Sequence, residues 1–128
     1  MLTAAAMCMA LNVFFEARTE PLLGQLAVME VTMNRVASDS YPDTICDVVW
    51  QKKQFSWTHD GKHDDPTRMS YLDRQAWRDV VVLADNFLNG NTETPSSGAT
   101  MYHADYTTPY WATSYELVGV VGSHKFYK

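Results

Sequence analysis

The chain opens on an apolar run that ends in a charge. From Leu2 to Phe15 every residue except Thr3 and Asn12 is apolar, and the run closes on Phe14-Phe15-Glu16-Ala17-Arg18. It is too short to span a membrane. No Lys or Arg precedes Arg18, so it lacks the positive start of a signal peptide. It reads as the first helix of a fold, over about 3–18. A carboxylate ending such a stretch is at least partly desolvated, and desolvation favours the protonated form.

The rest of the chain reads in the same way. Pro21 biases Glu20 away from helical geometry and suits the first position of a second helix over about 21–37. Leu22, Leu26, Met29, Met33 and Val36 make its apolar stripe, widened by Leu23, Ala27, Val28 and Val31. Thr44 and Asp47 have the spacing of a capping box and start a short helix. Residues 52–63 read as a loop or small hairpin, with Asp60-Gly61 as the turn. Asp65-Pro66 opens one further helical stretch that Gly90 closes, with Trp77, Val80, Val81, Ala84, Phe87 and Leu88 on its buried face. After a loop at 91–98 the pattern turns to strands at 100–103, 115–121 and 124–127, the last two joined at Gly122-Ser123. The expectation is one domain over 1–128, α+β but mostly α, with a small antiparallel sheet at the C-terminal end.

Composition narrows the function classes. With 128 residues the chain can bury a real core. A net charge of -5 argues against nucleic acid as a partner and gives no basic patch for an anionic membrane. Cys8 lies in the apolar run, where a thiol behaves as a small hydrophobe, and two cysteines make no disulfide framework. The expectation is that Cys8 and Cys46 are free thiols. His59 and His63 flank the Asp-Gly turn rather than one helix face, and no metal-site or phosphate-loop motif occurs, so no metal or cofactor is expected.

Two groups of residues remain as chemistry. Glu16 is either a general acid and base, of the kind that protonates a glycosidic leaving oxygen, or a carboxylate paired with Arg18 or with the second helix. Glu20, four residues on, offers a second carboxylate, but its place before Pro21 suits a cap on the second helix. In Gln54-Phe55-Ser56-Trp57 amide, hydroxyl and aromatic groups stand together. They either hold a sugar or plug the core.

These segments, with others in order along nearly the whole chain, resemble the SleB/CwlJ-type cell wall hydrolases. The matching residues are Phe14-Phe15-Glu16-Ala17-Arg18 with Glu20-Pro21, Gly24-Gln25-Leu26-Ala27-Val28 and Asn34-Arg35-Val36, then Thr44-Ile45-Cys46-Asp47-Val48-Val49 and Gln54-Phe55-Ser56-Trp57. They continue with Gly98-Ala99 before Tyr102-His103, Pro109-Tyr110-Trp111 and Gly122-Ser123-His124-Lys125-Phe126-Tyr127. Thr19 stands where the family often has glycine, and Glu30 where a small apolar residue is common.

The resemblance implies a lysozyme-like fold and cleavage of the peptidoglycan glycan strand, with the catalytic glutamate on Glu16. It suits lytic transglycosylation, which needs one carboxyl group: an acid toward the leaving oxygen, then a base toward the C6 hydroxyl of muramic acid. Hydrolysis by a muramidase, with Glu20 as second carboxylate, is the alternative, and a non-catalytic glycan-binding module is the alternative of another class. Under this reading Gln54, Phe55, Ser56, Trp57, Tyr102, Trp111 and His124 line the glycan groove, and Asn34 is structural. A monomer is expected. A short wall hydrolase without a leader fits a phage lysin, made in the host cytoplasm and released to the wall at lysis, or a fragment of a larger bacterial protein.

Overall fold

Thr3 starts the first helix, its hydroxyl accepting from the Ala6 amide at 3.1 Å. In a computed structural model that describes residues 2–51, 55–95 and 97–128 (the Ser56 side chain apart), α1 runs over Ala4–Ala17. Met9, Ala10, Val13, Phe14 and Ala17 face the core along one stripe. α2, Leu22–Val36, lies beside α1 and supplies Leu26, Ala27, Val28, Met29 and Val31 to the same core. Pro21 is its N-cap rather than its first residue. Leu22 and Leu23 are exposed, so the expected stripe begins one turn later, at Leu26.

α3, Ile45–Val49, starts where expected, with the Thr44 hydroxyl accepting from the Asp47 amide at 3.1 Å. Within 52–63 the described residues form a 3-10 turn at Ser56–His59 and a left-handed Gly61, not a hairpin. The stretch from Asp65 is two elements. A 3-10 turn at Pro66–Arg68 ends at Met69, whose extended backbone breaks the helix. Ser70 then caps α4, Tyr71–Leu88, which packs its Val80 and Ala84 face on α1.

Three strands close the chain: β1 at Met101–Ala104, β2 at Leu117–Val121 and β3 at His124–Tyr127. They form an antiparallel sheet in the order β1-β3-β2, with Tyr102 opposite Phe126 and a register shift between Leu117 and Gly119. Gly122 turns β2 into β3 at φ +56°, where a Cβ would lie 2.5 Å from Glu20 Oε1. Only glycine fits both the angle and the approach. No helix among the described residues is long and apolar enough to cross a membrane.

Cys8 on α1 and Cys46 on α3 are joined as a disulfide, with Cα atoms 5.3 Å apart, which overturns the expectation of free thiols. The two helices pack directly, so residues 38 apart in sequence meet in space. Closing a loop of that size restricts the unfolded chain. Reduction is expected to cost about 2–4 kcal/mol of stability, read as a lower melting temperature in dithiothreitol. An unchanged melting temperature would show that the α1–α3 packing needs no crosslink.

Candidate active site

Glu16 sits on the last turn of α1 and opens into a cavity of about 320 Å³. Arg35 from α2, Phe55, Met101 and Tyr102 from β1, and Tyr110 and Trp111 also line it among the described residues. The Tyr102 hydroxyl donates to Glu16 Oε1 at 3.3 Å. Burial pushes the Glu16 carboxyl above the ordinary carboxylate value. The Tyr102 hydrogen bond and the Arg35 guanidinium pull the other way without cancelling it. Burial and the facing Glu16 carboxylate raise the Tyr102 phenol well above its ordinary value, so Tyr102 stays a proton donor in the hydrogen bond.

The end of α2 holds this arrangement together. Asn34 Nδ2 donates to the Ala99 carbonyl at 2.8 Å and Arg35 Nε to the Thr100 carbonyl at 2.7 Å. These two bonds grip the chain where it enters β1, and so place Tyr102 over Glu16. Asn34 is thus structural, as its sequence reading has it. The Arg35 guanidinium is buried between the rings of Tyr41 and Phe55, 5.1 and 5.5 Å from their centroids. It reaches Met101 Sδ through Nη2 at 3.6 Å.

The cavity gathers Glu16, Phe55, Tyr102 and Trp111 from the residues singled out in the sequence. Trp57 and His124 are elsewhere. Trp57 is buried, stacks on Phe15 at 5.0 Å and donates through Nε1 to Asn12 Oδ1 at 3.1 Å. Its indole therefore serves the core around Phe55 and Val49, and it does not line this cavity. His124 is buried beside Glu20 and against the Tyr102 ring. Gln54 and the Ser56 side chain lie outside the described residues. Arg35, Met101 and Tyr110 were not anticipated as lining. The sequence carried a trace of two of them, in Asn34-Arg35-Val36 and in the aromatic pair Tyr110-Trp111.

Glu20 is not a cap of α2, which has no side-chain cap. Its carboxylate accepts from the Ser123 amide at 2.8 Å and the Ser123 hydroxyl at 2.7 Å, which ties α2 to the β2–β3 turn. Burial works against its ionisation, but the Ser123 bonds and His124 outweigh it and hold its carboxyl below the ordinary value. His124 itself is lowered, by burial, despite Glu20 and Asp105. Its Nδ1, 3.4 Å from Glu20 Oε1, stands beside the carboxylate as a mostly neutral ring at pH 7. A depressed carboxyl stabilises above its unfolded value, and that contribution is lost as pH falls through the folded one. Glu20→Gln is therefore expected to keep near-normal activity while losing stability at pH 7. The loss should shrink below about pH 4, as followed by thermal melts. Loss of activity without loss of stability would instead make Glu20 part of the chemistry.

The two departures from the family pattern are both accommodated locally. Thr19 is exposed in the bend after α1. Glu30 is buried, and its carboxylate accepts from the Ser97 amide and hydroxyl at 2.9 and 3.1 Å. Among the described residues no three His, Cys, Asp or Glu side chains converge as a metal site.

The sequence profile of the family described as Cell Wall Hydrolase matches residues 19–127. The spore cortex-lytic enzyme of Halalkalibacterium halodurans is 34% identical over 92% of this chain and 33% of its own length. That of Bacillus cereus is 33% identical over 94% of this chain and 42% of its own length. This chain thus spans less than half of those relatives. Among solved structures, the catalytic domain of the germination-specific lytic transglycosylase SleB from Bacillus anthracis superposes with a TM-score of 0.69. It is 29% identical, over 98% of this chain and 96% of that one. The catalytic domain of the Bacillus cereus SleB protein gives 0.66 at 26% identity, over 100% of this chain and 93% of that one. The mostly helical, lysozyme-like architecture is the one the sequence implies.

Proposed function

Because this chain belongs to the cell wall hydrolase family, we propose that it cleaves the glycan strand of peptidoglycan between N-acetylmuramic acid and N-acetylglucosamine by lytic transglycosylation. The observation that carries this reading is the cavity's acid-base chemistry. Glu16 is the one carboxyl among the described residues lining it, and burial keeps that carboxyl readier than usual to hold a proton.

One such group suffices. Protonated Glu16 gives its proton to the glycosidic oxygen as the bond to the anomeric carbon breaks. The carboxylate left behind then takes the proton from the C6 hydroxyl of the same muramic acid, whose oxygen closes on the anomeric carbon. The proton balance is restored and no water enters the product. The Tyr102 hydrogen bond and the Arg35 charge steady the ionised state between the two steps. Inversion by hydrolysis uses a second carboxylate to activate water. Glu20, held by two bonds from Ser123, supports the structure of the turn instead.

The test is to incubate purified sacculi with the wild type and with Glu16→Gln and to analyse the released muropeptides by mass spectrometry. Anhydro-muramic ends from the wild type, with none from a variant that still binds sacculi, support the proposal. Reducing ends would replace it with hydrolysis. Equal release by both proteins would remove Glu16 from the mechanism, and binding by the wild type without release would leave a glycan-binding module.

A further inference from the structure

A second cavity, of about 440 Å³, lies across the Phe15–Trp57 ring pair and has no part in the chemistry above. Consecutive residues of α1 face the two spaces, Glu16 the first and Phe15 the second. Two residues further along the chain do the same, Phe55 at the first and Trp57 at the second. The two cavities therefore flank one wall. A substituent of a polymer held with its scissile bond at Glu16 enters the second space where it crosses that wall beside Phe15.

The linings differ in kind. Among the described residues the first holds two charged ones, Glu16 and Arg35, beside apolar and aromatic side chains. The second has an aromatic floor of Phe15 and Trp57 and a rim of Asp60, Asp64, Lys62 and His63. Arg18 also lines it, but its charge is taken up by Asp73 at 3.1 Å. The rim that remains carries both signs. Asp60 is fixed by the turn, its Oδ1 accepting from the Lys62 amide at 2.9 Å. Burial and the neighbouring Asp60 raise the Asp64 carboxyl above the ordinary value, with His63 opposing. A cation placed beside Asp64 offsets the repulsion that Asp60 exerts on it.

We propose that this second cavity receives the stem peptide of the strand being cleaved, with a free ammonium group of the peptide against Asp60 and Asp64 and its carboxylate toward Lys62. The inference rests on the glycan-cleavage reading and names which part of that substrate is read apart from the sugars. In an N-acetylated strand whose lactyl groups all carry peptides, the sugars themselves bear no ionisable group. The peptide on the muramic acid lactyl group carries both signs. A mixed-charge rim over an aromatic floor therefore has a partner in the peptide and none in the sugar backbone.

The test uses three soluble substrates: strands with intact stem peptides, the same strands with peptides removed by an amidase, and strands whose free amino groups are acetylated. Initial rates on each are measured for the wild type and for the Asp60→Asn, Asp64→Asn double variant. Both positions are on the rim and outside the core, and a melting curve checks the fold. For the wild type, KM should rise roughly three- to fivefold on acetylated and on stripped strands with kcat little changed, as for an exposed ion pair. The double variant should show that raised KM already on intact strands, with no further rise on acetylation. Equal wild-type KM on all three substrates would overturn the inference and leave the glycan-cleavage reading standing. So would a variant whose loss is the same on stripped strands. No cleavage of any substrate by the wild type would withdraw both.

Discussion

Glu16→Gln is expected to abolish cleavage and, at the same time, to make the protein more stable at neutral pH. Both follow from one cause. The carboxyl that donates and then recovers the proton is the one burial pushes above its ordinary value. Losing an acid that also serves as base removes at least about three orders of magnitude from kcat, since either role alone is worth 10²–10⁴. The stability effect has the opposite sign. A carboxyl whose folded value lies above the unfolded one costs nothing below the unfolded value, about 4.3. The cost appears as pH rises from there through the folded value and then stays constant. Glutamine removes the charge and keeps an oxygen to accept the Tyr102 hydroxyl. The variant should therefore melt higher than the wild type at pH 7, by a margin that vanishes as pH falls to about 4. Calorimetry at the two pH values checks it. Equal melting temperatures at pH 7 would mean that the Glu16 carboxyl is solvated, and the case for it as a proton donor would fall with that.

What could be read in the sequence was what neighbouring residues decide. An apolar run with Thr3 before it is a buried helix whatever it packs on, and Glu16 is conspicuous only because that run ends at it. Thr44 caps α3 through a residue three positions on, and Gly122 turns the hairpin through its own φ. Two of the misses involve partners that sequence distance hides. Glu20 resembles a cap because Pro21 follows, but its partner is Ser123, 103 residues away. Cys8 looks like a small hydrophobe until α3 brings Cys46 to it. Leu22 fits the stripe of α2 and is nevertheless exposed, because periodicity says which residues share a face and not how far along the helix the core extends. Trp57 shows the same limit from the other side. Its place beside a polar loop suggested a sugar platform, and only the Asn12 and Phe15 contacts show the indole tied into the core, beside the second cavity and not the Glu16 one. The site was legible as one carboxylate and some aromatics. Its electrostatics were not, because Arg35 stood in the sequence only as part of the segment Asn34-Arg35-Val36, and its partners Thr100 and Met101 lie some 65 residues away.

Arg35→Met is expected to move the high-pH limb of the kcat/KM profile to higher pH while weakening the fold. In the folded chain burial favours the neutral acid of Glu16, while the Tyr102 hydrogen bond and then the Arg35 charge favour the carboxylate. The descending limb of kcat/KM reports the proton lost from the general acid of the free enzyme. Removing the cation leaves burial less opposed, so Glu16 holds its proton to a higher pH and the limb shifts up. The same change makes the carboxylate formed in the first step harder to sustain, so kcat at the optimum should fall. The variant also orphans the Thr100 carbonyl, which now accepts from Arg35 Nε, at a cost of about 1–3 kcal/mol. Lower stability alone would reduce the amount of folded enzyme without moving the limb, so the pH profile separates the two effects. Arg35→Lys provides the control. It keeps a positive charge and gives up the planar fork that spans Thr100 and Met101. It should lose stability as the methionine variant does, while its limb stays near that of the wild type. If both variants shift the limb equally, the charge is not what tunes Glu16, and the placement of β1 through Thr100 is the stronger influence on the acid.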